Sequence, residues 1–227
     1  MIIYGKQIVL FVLDNHSDLI EEVMFSKDIE PKLFSKFSRL KKPIIKLDSK
    51  KAQALAHGGN HQGYFLKIKE FEFTALNEIK KGKFLLILDS LTDMGNIGAI
   101  IRTSYALGVD GIVITGIRDV KMEQLVRTSS GSALNMPIAI HFDISDLLNQ
   151  LKFEQFSLVG ADMDGEDIKN FKHNLNKIAL IVGSEGNGLH NKVIKKLDHK
   201  VSIKMARVFD SLNVSVATAI LVHQLKG

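Results

Sequence analysis

Three stretches of the chain carry side chains that could act on a bound ligand. The first has Asn96 and, six residues later, Arg102, and the last has Ser211 and Asn213. Amide, hydroxyl and guanidinium groups orient a polar ligand through hydrogen bonds, and the guanidinium adds a positive charge. Each residue also has a simpler explanation, because Asn96, Ser211 and Asn213 can cap helices and an arginine on a helix is usually solvated.

The second stretch is rich in glycine and reads Val182-Gly183-Ser184-Glu185-Gly186-Asn187-Gly188. Its three glycines allow a tight turn and a close approach of the backbone to a ligand, although a plain connecting loop has the same composition. The spacing is neither that of a P-loop nor that of a dinucleotide-binding fingerprint. Further on, a loop contains apolar residues that could line a cleft the size of an adenine ring, namely Met205, Val208, Phe209 and Leu212.

The elements that position these stretches follow from hydrophobic periodicity. Near-continuous apolar runs predict a mostly parallel sheet covered on both faces, and ligands of such sheets bind beyond the carboxyl ends of the strands. The predicted strands are Phe84–Leu88, Gly111–Ile114, Pro137–Ile140, Ser157–Ala161, Ile178–Val182 and Lys200–Ile203. The predicted helices are Ile97–Leu107, Lys121–Arg127, Ile144–Leu151, Leu189–Leu197 and Asn213–Leu225.

The front of the chain has the pattern of a smaller α/β unit. Residues 1–72 are predicted to form this domain, residues 73–83 a linker, and residues 84–227 the larger domain. Helices are expected at Gly5–Asn15, Glu30–Leu40 and from the N-cap Asp48 to Ala56, and strands at Leu19–Phe25, Pro43–Leu47 and Tyr64–Ile68. His57 and His61 have too few neighbouring ligands for a metal site and suit a turn.

Composition narrows the class of protein. Of 227 residues, 45% are hydrophobic and 24% charged, which is typical of a globular protein, and the absence of cysteine excludes disulfides and thiolate chemistry. The net charge of +5 favours a polyanionic partner. The N-terminus lacks the order of a signal peptide and the apolar runs are too short to cross a bilayer, so a cytoplasmic protein is the simplest expectation.

Two further features bear on partners. Seven basic residues between positions 36 and 51 could follow the backbone of a polyanion or simply form a solvated face, and they are Lys36, Arg39, Lys41, Lys42, Lys46, Lys50 and Lys51. The last predicted helix is apolar in nearly all directions, so it must be covered on all sides. Either a second subunit or the rest of the same chain can provide that cover.

Together, the three stretches resemble the three motifs of the SpoU/TrmH branch of the SPOUT methyltransferases. The block from Leu88 to Gly111, which contains Asn96 and Arg102, resembles the first motif, and the stretch from Val182 to Leu189 resembles the second. The third is matched closely by Ser211-Leu212-Asn213-Val214-Ser215-Val216-Ala217. At the front, Ile3-Tyr4-Gly5 and Gly58-Gly59-Asn60-His61-Gln62-Gly63 resemble the RNA-binding domain of the subgroup that modifies large-subunit ribosomal RNA.

The resemblance implies a fold, a cofactor and an activity. The fold is an α/β domain with a deep trefoil knot, and the activity is methyl transfer from S-adenosyl-L-methionine (SAM) to a ribose 2′-hydroxyl of RNA, in this subgroup a guanosine of 23S ribosomal RNA. The active unit is a homodimer and no metal is required. A transfer RNA target, or a catalytically idle RNA-binding or ribosome assembly factor, are the alternatives.

The resemblance also assigns residues. The implied catalytic set is Asn96, Arg102, Glu185, Ser211 and Asn213, with Arg102 acting either as the base or as an electrostatic stabiliser of the ribose oxygen. The implied cofactor contacts are Gly183, Ile203 and Leu212, to which we add their neighbours Val182 and Met205. One departure from the family's pattern is Lys204-Met205-Ala206-Arg207, which stands where Pro-Met-x-Gly is usual.

Overall fold

The computed structural model describes residues 1–184, 188–207 and 211–226. The chain divides into two compact units, one of Met1–Glu72 with Lys121–Leu134 and the other of Phe73–Val120 with Asn135–Gly227. The strands are β1 (Ile2–Tyr4), β2 (Ile20–Phe25), β3 (Ile44–Lys46), β4 (Tyr64–Ile68), β5 (Phe84–Asp89), β6 (Gly111–Thr115), β7 (Ile138–His141), β8 (Ser157–Asp167), β9 (Ile178–Val182) and β10 (His199–Ser202). The helices are α1 (Lys6–Asn15), α2 (Pro31–Ser38), α3 (Ser49–Leu55), α4 (Leu76–Ile79), α5 (Met94–Ala106), α6 (Met122–Thr128), α7 (Ile144–Phe153), α8 (Asn191–Ile194) and α9 (Val214–Lys226).

The first unit is built on a four-stranded sheet in the order β1-β4-β2-β3. Strand β4 runs antiparallel to β1 and β2, whereas β2 and β3 are parallel. The predicted cap of α3 is confirmed, since Asp48 Oδ1 accepts a hydrogen bond of 2.8 Å from the Lys51 amide. Strand β1 was not predicted, because three residues are too few to show an alternating pattern. Helix α6 contacts β1, which explains why residues 121–134 belong to this unit.

The second unit is built on a six-stranded sheet in the order β10-β8-β9-β5-β6-β7, in which all strands are parallel. Every residue of β5, β6 and β9 is buried, so the sheet is covered on both faces as predicted. On one face, Leu85 and Ile87 of β5 join a core cluster with Ile144, Leu148 and Val193 of the helices. The parallel α/β architecture expected from the apolar runs is confirmed.

Three elements differ from the prediction. The helix expected at Leu189–Leu197 is only the four residues of α8, because the following turn tightens through hydrogen bonds from Lys196 N–H to Val193 O and from Leu197 N–H to Ile194 O. Strand β8 continues past Ala161 to Asp167. Within the predicted linker 73–83, the structure has α4, whose Ile79 is buried in the core of the second unit.

Candidate active site

Strands β5 and β9 are neighbours in the sheet, and their carboxyl ends bring two of the predicted stretches together. Leu88 of β5 lies directly opposite Val182 of β9. The loops that follow these residues therefore leave the same edge of the sheet at adjacent positions. The strand order reverses between β5 and β9, since β6 and β7 extend the sheet on one side and β8 and β10 on the other. Such a reversal is where open α/β sheets bind their ligands.

The loop after β5 ends in α5, and its cap is not the residue that the sequence suggested. We expected Asn96 to be the N-cap, but the helix begins at Met94 and Asp93 caps it, with its Oδ1 accepting a hydrogen bond of 2.7 Å from the Asn96 amide. The sequence has both Asp93 and Asn96 near this helix start, and either type is a favoured cap. Because Asp93 provides the cap, the Asn96 side chain is available for another contact.

That contact is with the third stretch. Asn213 Nδ2 donates a hydrogen bond of 2.9 Å to Asn96 Oδ1 across 117 positions of sequence. Asn213 Oδ1 accepts from the Ser215 amide at 3.0 Å and from Ser215 Oγ at 2.5 Å, which organises the first turn of α9. The side-chain amide of Asn213 therefore stabilises the start of α9 and also connects that helix to α5. Helices α5 and α9 also pack against each other.

Arg102 lies on α5 with an exposed side chain. Its guanidinium forms no hydrogen bond or ion pair with any residue in the ranges that the structure describes. Side chains of a helix lean towards its N-terminus, over the turn one step back, and here that turn offers Gly98 and Ala99. Their small size leaves room beside the guanidinium. The group is thus a solvent-accessible cation with its hydrogen-bond donors unused by the described protein.

A cavity of about 310 Å³ lies beside β10 and the start of α9. Four of the predicted site residues line it: Ile203, Met205, Ser211 and Leu212. Val182 and Gly183 are not among the described residues of its wall. The walls are largely apolar, which suits a heteroaromatic ring, while Ser202 and Ser211 bring polar atoms.

The glycine-rich stretch has a clear structural requirement at its first glycine. A Cβ atom added to Gly183 would stand 2.1 Å from the carbonyl oxygen of Gly188 and 2.8 Å from the amide nitrogen of Leu189. Only glycine permits this close approach of two backbone segments. Ser184 and Gly188 form an isolated antiparallel bridge, and the Gly188 amide donates to Ser184 O at 2.9 Å. Glu185 lies in residues 185–187, outside the described residues, as do Val208 and Phe209.

Sequence reasoning missed one wall of the cavity. Ala161, Asp162 and Met163 of β8 line it, opposite the segment from Val201 to Met205. Nothing in the sequence around these residues indicated a contact with a ligand. It reaches the cavity because the register of β8 against β10 shifts between Lys200 and Val201, which leaves these β8 residues unpaired. A bulge of this kind depends on strand pairing and is not visible in the sequence.

The departure from the family pattern also borders the cavity. Lys204 lines it, and its Nζ lies 3.4 Å from the carbonyl oxygen of Met163. This contact directs the ammonium group along the wall formed by β8. Arg207 is exposed and is not among the described residues of the wall.

Comparison with known proteins decides the family. The model of the SpoU rRNA methylase family matches residues 83–223, and the model for RNA 2′-O ribose methyltransferase substrate binding matches residues 2–74. The chain belongs to the SpoU methylase family. This SpoU methylase is 34% identical over 198 residues to an uncharacterized tRNA/rRNA methyltransferase of Borreliella burgdorferi, covering 81% of this chain and 86% of the relative. It is 31% identical over 235 residues to the 23S rRNA (guanosine-2′-O-)-methyltransferase RlmB of Haemophilus ducreyi, covering 98% of this chain and 96% of the relative.

A solved structure gives the same fold for this SpoU methylase. The SpoU methyltransferase AviRb of Streptomyces viridochromogenes, crystallised with AdoMet, superposes with a TM-score of 0.80 at 21% identity and covers 100% of this chain and 89% of that one. Every helix in the described ranges is too short or too polar to span a membrane. In the same part of the chain, no three His, Asp or Glu side chains converge as metal ligands would.

Proposed function

We propose that this SpoU methylase transfers a methyl group from SAM to the ribose 2′-hydroxyl of a guanosine in 23S ribosomal RNA, in the cytoplasm. The enzyme class follows from the family, and the choice of RNA is supported by the full-length similarity to the Haemophilus ducreyi enzyme. The observation that carries the proposal is the hydrogen bond between Asn96 and Asn213, which joins the first and third motifs. Around it stand an unpaired cation, a largely apolar cavity and a glycine-dependent loop.

SAM is the cofactor, and we assign its site to the cavity beside β10. Met205, Leu212 and Ile203 offer apolar contact for the adenine ring, and Ser211 offers a hydroxyl group. Its volume of about 310 Å³ is at the small end of the usual range for ligand sites. Gly183 permits the close approach of the backbone at Gly188 and Leu189, and Val182 precedes it at the end of β9. When bound, SAM supplies a methyl group on a positively charged sulfur.

The described residues also suggest how the hydroxyl is activated. A ribose hydroxyl is a very weak acid, so negative charge that develops on its oxygen must be stabilised. A guanidinium stays protonated and presents several donors in a fixed plane, so Arg102 stabilises the ribose oxygen and does not act as the base. The proton of the ribose hydroxyl is released to solvent. Asn96, Asn213 and Ser211 orient the ribose. Glu185 completes the proposed polar set.

The proposal is tested by calorimetry and by mapping. We expect the purified protein to bind SAM in a titration and to transfer a labelled methyl group to 23S ribosomal RNA from a strain that lacks the gene. Mass spectrometry of ribosomal and transfer RNA from that strain should then show one missing ribose methylation. A missing mark in transfer RNA would move the target to that RNA.

A catalytically idle assembly factor is the second candidate, and Lys204 is the observation that favours it. This lysine stands at the cavity where the family usually has proline, and it brings a charged side chain to the wall. If no heat of SAM binding is detected with the folded protein, the idle role replaces the enzyme. Restored SAM binding in Lys204→Pro would identify this residue as the cause.

The knot is part of the proposal for the fold. In this family the C-terminal segments form a deep trefoil knot, and the motifs after β9 and β10 stand in the corresponding order. The proposed domains are the RNA substrate-binding domain in residues 1–72, the linker in 73–83 and the SPOUT domain in 84–227. The substrate-binding model, which matches residues 2–74, supports the first of these.

The basic cluster of the first domain fits an RNA role in part. Three of its residues form ion pairs with acids of the same unit: Lys36 with Asp14, Lys46 with Asp28, and Lys51 with Asp48, at 3.6, 3.1 and 3.9 Å. The other members, which are Arg39, Lys41, Lys42 and Lys50, form no ion pair within the described ranges. These four are the residues that we assign to contact with the RNA backbone.

The homodimer is proposed from the two faces of α9. One stripe is buried within the chain, and it consists of Val214, Thr218, Leu221, Val222 and Leu225. The opposite stripe contains Val216, which is 48% exposed, and Ala219 and Ile220, which are half-buried. The same chain thus covers one face of this apolar helix, and the other face is left for a second subunit. The exposed stripe is assigned to the second subunit.

Replacing Val216 with glutamate should separate the subunits. A carboxylate in an apolar interface loses its hydration without gaining a partner. We expect light scattering after size exclusion to give the chain mass of 25.3 kDa for Val216→Glu and twice that for the native protein. Phe153→Glu is the matched control, because Phe153 is 87% exposed on α7, and this variant should stay dimeric. A native protein that runs as a monomer would contradict the dimer.

Asn213→Asp should separate the structural and catalytic parts of this side chain. Aspartate caps a helix as well as asparagine, so the bonds from Ser215 are kept and the free energy of unfolding should change by less than about 0.5 kcal/mol. The donor to Asn96 is replaced by an oxygen, so the native bond is lost and the Asn96 amide must turn over to bond the new carboxylate, which moves its own polar atoms out of their native places. We expect methyl transfer to fall about tenfold, the effect of losing roughly 1.4 kcal/mol of transition-state stabilisation.

Asn213→Ala provides the comparison. It removes the cap as well as the donor and should cost about 1 kcal/mol of folding stability, measured by urea unfolding. Turnover of Asn213→Asp at the native rate would show that the bond between the two asparagines is dispensable for catalysis.

A further inference from the structure

The first unit contains a second cavity, of about 550 Å³, which is lined in part by the two stretches that resemble the family's RNA-binding domain. It lies between the start of α1, the loop from Ala56 to Gln62 and helix α6. All of its lining residues belong to the same compact unit. The substrate-binding family model ends at residue 74, so the part contributed by α6 lies outside it.

Arg127 of α6 is the charged residue of this cavity. Its guanidinium stands 5.2 Å from the ring centroid of Tyr4, and its Nη1 donates a hydrogen bond to the Tyr4 hydroxyl. That hydroxyl is itself fixed, because it donates to the carbonyl oxygen of Ala56 at 2.9 Å. Tyr4 is 5% exposed, so the anchor is rigid. Arg127 is thereby held in place by one of its five donors, and the others are left for a ligand.

The cavity carries positive charge without compensation. No Asp or Glu is among its described lining residues, and Arg127 forms no ion pair within the described ranges. Gln7 and Ile8, in the first turn of α1, also line it, and amides at this end of a helix attract anions. A half-buried guanidinium with no carboxylate nearby stabilises an anion strongly, since solvent screens the interaction less than at an open surface.

Neutral polar groups surround the cation. Asn60 is exposed, and its side chain makes no hydrogen bond with any described residue. His57, Gln62 and Ser130 also line the cavity, and all three have positive φ angles, of 48°, 52° and 55°. Non-glycine residues rarely adopt this conformation, and here it places three polar residues around one space. Gln62 Oε1 also accepts from the Lys6 amide at 3.1 Å, which joins the loop to α1.

We propose that this cavity binds a phosphate group of the substrate RNA, with Arg127 as the charged contact and Asn60 at its mouth. The proposal rests on the proposed function, because it takes RNA as the substrate. A guanidinium fork and amide donors are the groups that recognise phosphate oxygens. With Arg127, the RNA-binding surface of the first unit includes a residue that follows the first motif in sequence.

The test measures RNA affinity and its dependence on salt for the full chain. The probe is unmodified 23S ribosomal RNA transcribed in vitro, titrated at several salt concentrations. Loss of one phosphate contact should lower the slope of log Kd against log salt by about 0.7 to 0.9 and weaken binding about five- to tenfold at low salt. We expect this result for Arg127→Ala. Lys69→Ala removes the same charge from an exposed residue of the same unit, outside the cavity wall, and should have a smaller effect on both quantities.

A second pair does not disturb the bond to Tyr4. Asn60→Asp places a negative charge at the mouth of the cavity and should weaken RNA binding, whereas Gln53→Glu makes the same charge change on α3, outside the cavity wall. If Arg127→Ala does not fold, this pair still tests whether the cavity binds a phosphate of the RNA. Equal losses within each pair would overturn the site in favour of diffuse attraction, and unchanged affinity and slope in Arg127→Ala or Asn60→Asp would overturn it outright.

Failure of the proposed function gives a different result. A native protein that neither binds SAM nor methylates RNA is not the proposed enzyme, but its RNA affinity and salt slope still report on the cavity. Conversely, each variant of the cavity should bind SAM as the native protein does.

Discussion

Arg102→Ala should bind SAM with native affinity and lose nearly all methyl transfer. The side chain is exposed on α5, and none of the described residues uses its donors. Its removal therefore costs the folded protein little, and the effect appears when charge develops on the ribose oxygen. Loss of one well-placed donor to such an oxygen lowers turnover by about 100- to 1,000-fold. The measurement is single-turnover transfer of labelled methyl to saturating RNA, together with calorimetry of SAM binding.

Two further variants define what Arg102 does. Arg102→Lys keeps the charge but not the planar fork, so part of the activity should return if electrostatic stabilisation dominates. Arg118→Ala removes an exposed arginine of the same unit and controls for general attraction of RNA. If Arg118→Ala loses as much turnover at saturating RNA, the effect is not specific to the site. Turnover of Arg102→Ala within threefold of the native value would remove Arg102 from the mechanism.

Gly183→Ala should disrupt the loop after β9 and with it the SAM site. The added Cβ would meet the Gly188 carbonyl oxygen at 2.1 Å, and neither partner is a flexible side chain. The two backbone segments must therefore separate. Overpacking of this kind costs about 1–3 kcal/mol of folding stability. We expect a lower thermal midpoint and SAM affinity reduced at least about tenfold, since displacement by even an ångström spoils a site.

Gly188→Ala is the matched control on the same loop. Gly188 has a φ of 59°, and a Cβ there would meet no atom of the described residues within 4 Å. Alanine costs about 1 kcal/mol at such a position through backbone strain alone. Stability should therefore fall in both variants, but SAM affinity should fall much more in Gly183→Ala. Equal affinities would mean that the close approach of residues 183 and 188 does not shape the cofactor site.

The sequence predicted a strand or a helix cap correctly where residues close together in the chain decide its formation. The strand at Ile178–Val182 was predicted at its observed bounds, because five consecutive apolar residues have few other solutions in a covered sheet. The cap at Asp48 was correct, since Asp48 Oδ1 accepts a hydrogen bond from the Lys51 amide three residues further on. At α5, two candidate caps competed, and the sequence could not decide between Asp93 and Asn96. The predicted helix from Leu189 was too long because the chain after α8 tightens into a turn and the Asp198 amide then donates to Leu158 O of β8, a partner far away in sequence.

The sequence by itself determined the family, the parallel α/β architecture and the residue types available for chemistry. These follow from periodicity and from motif order, which depend on neighbours along the chain. The tertiary structure alone decided that Leu88 pairs with Val182, that Asn96 bonds to Asn213, that β8 forms a wall of the cavity, and that Arg127 lies on Tyr4. Each joins segments far apart in sequence, and such pairs are selected by the packing of the whole core rather than by any local preference.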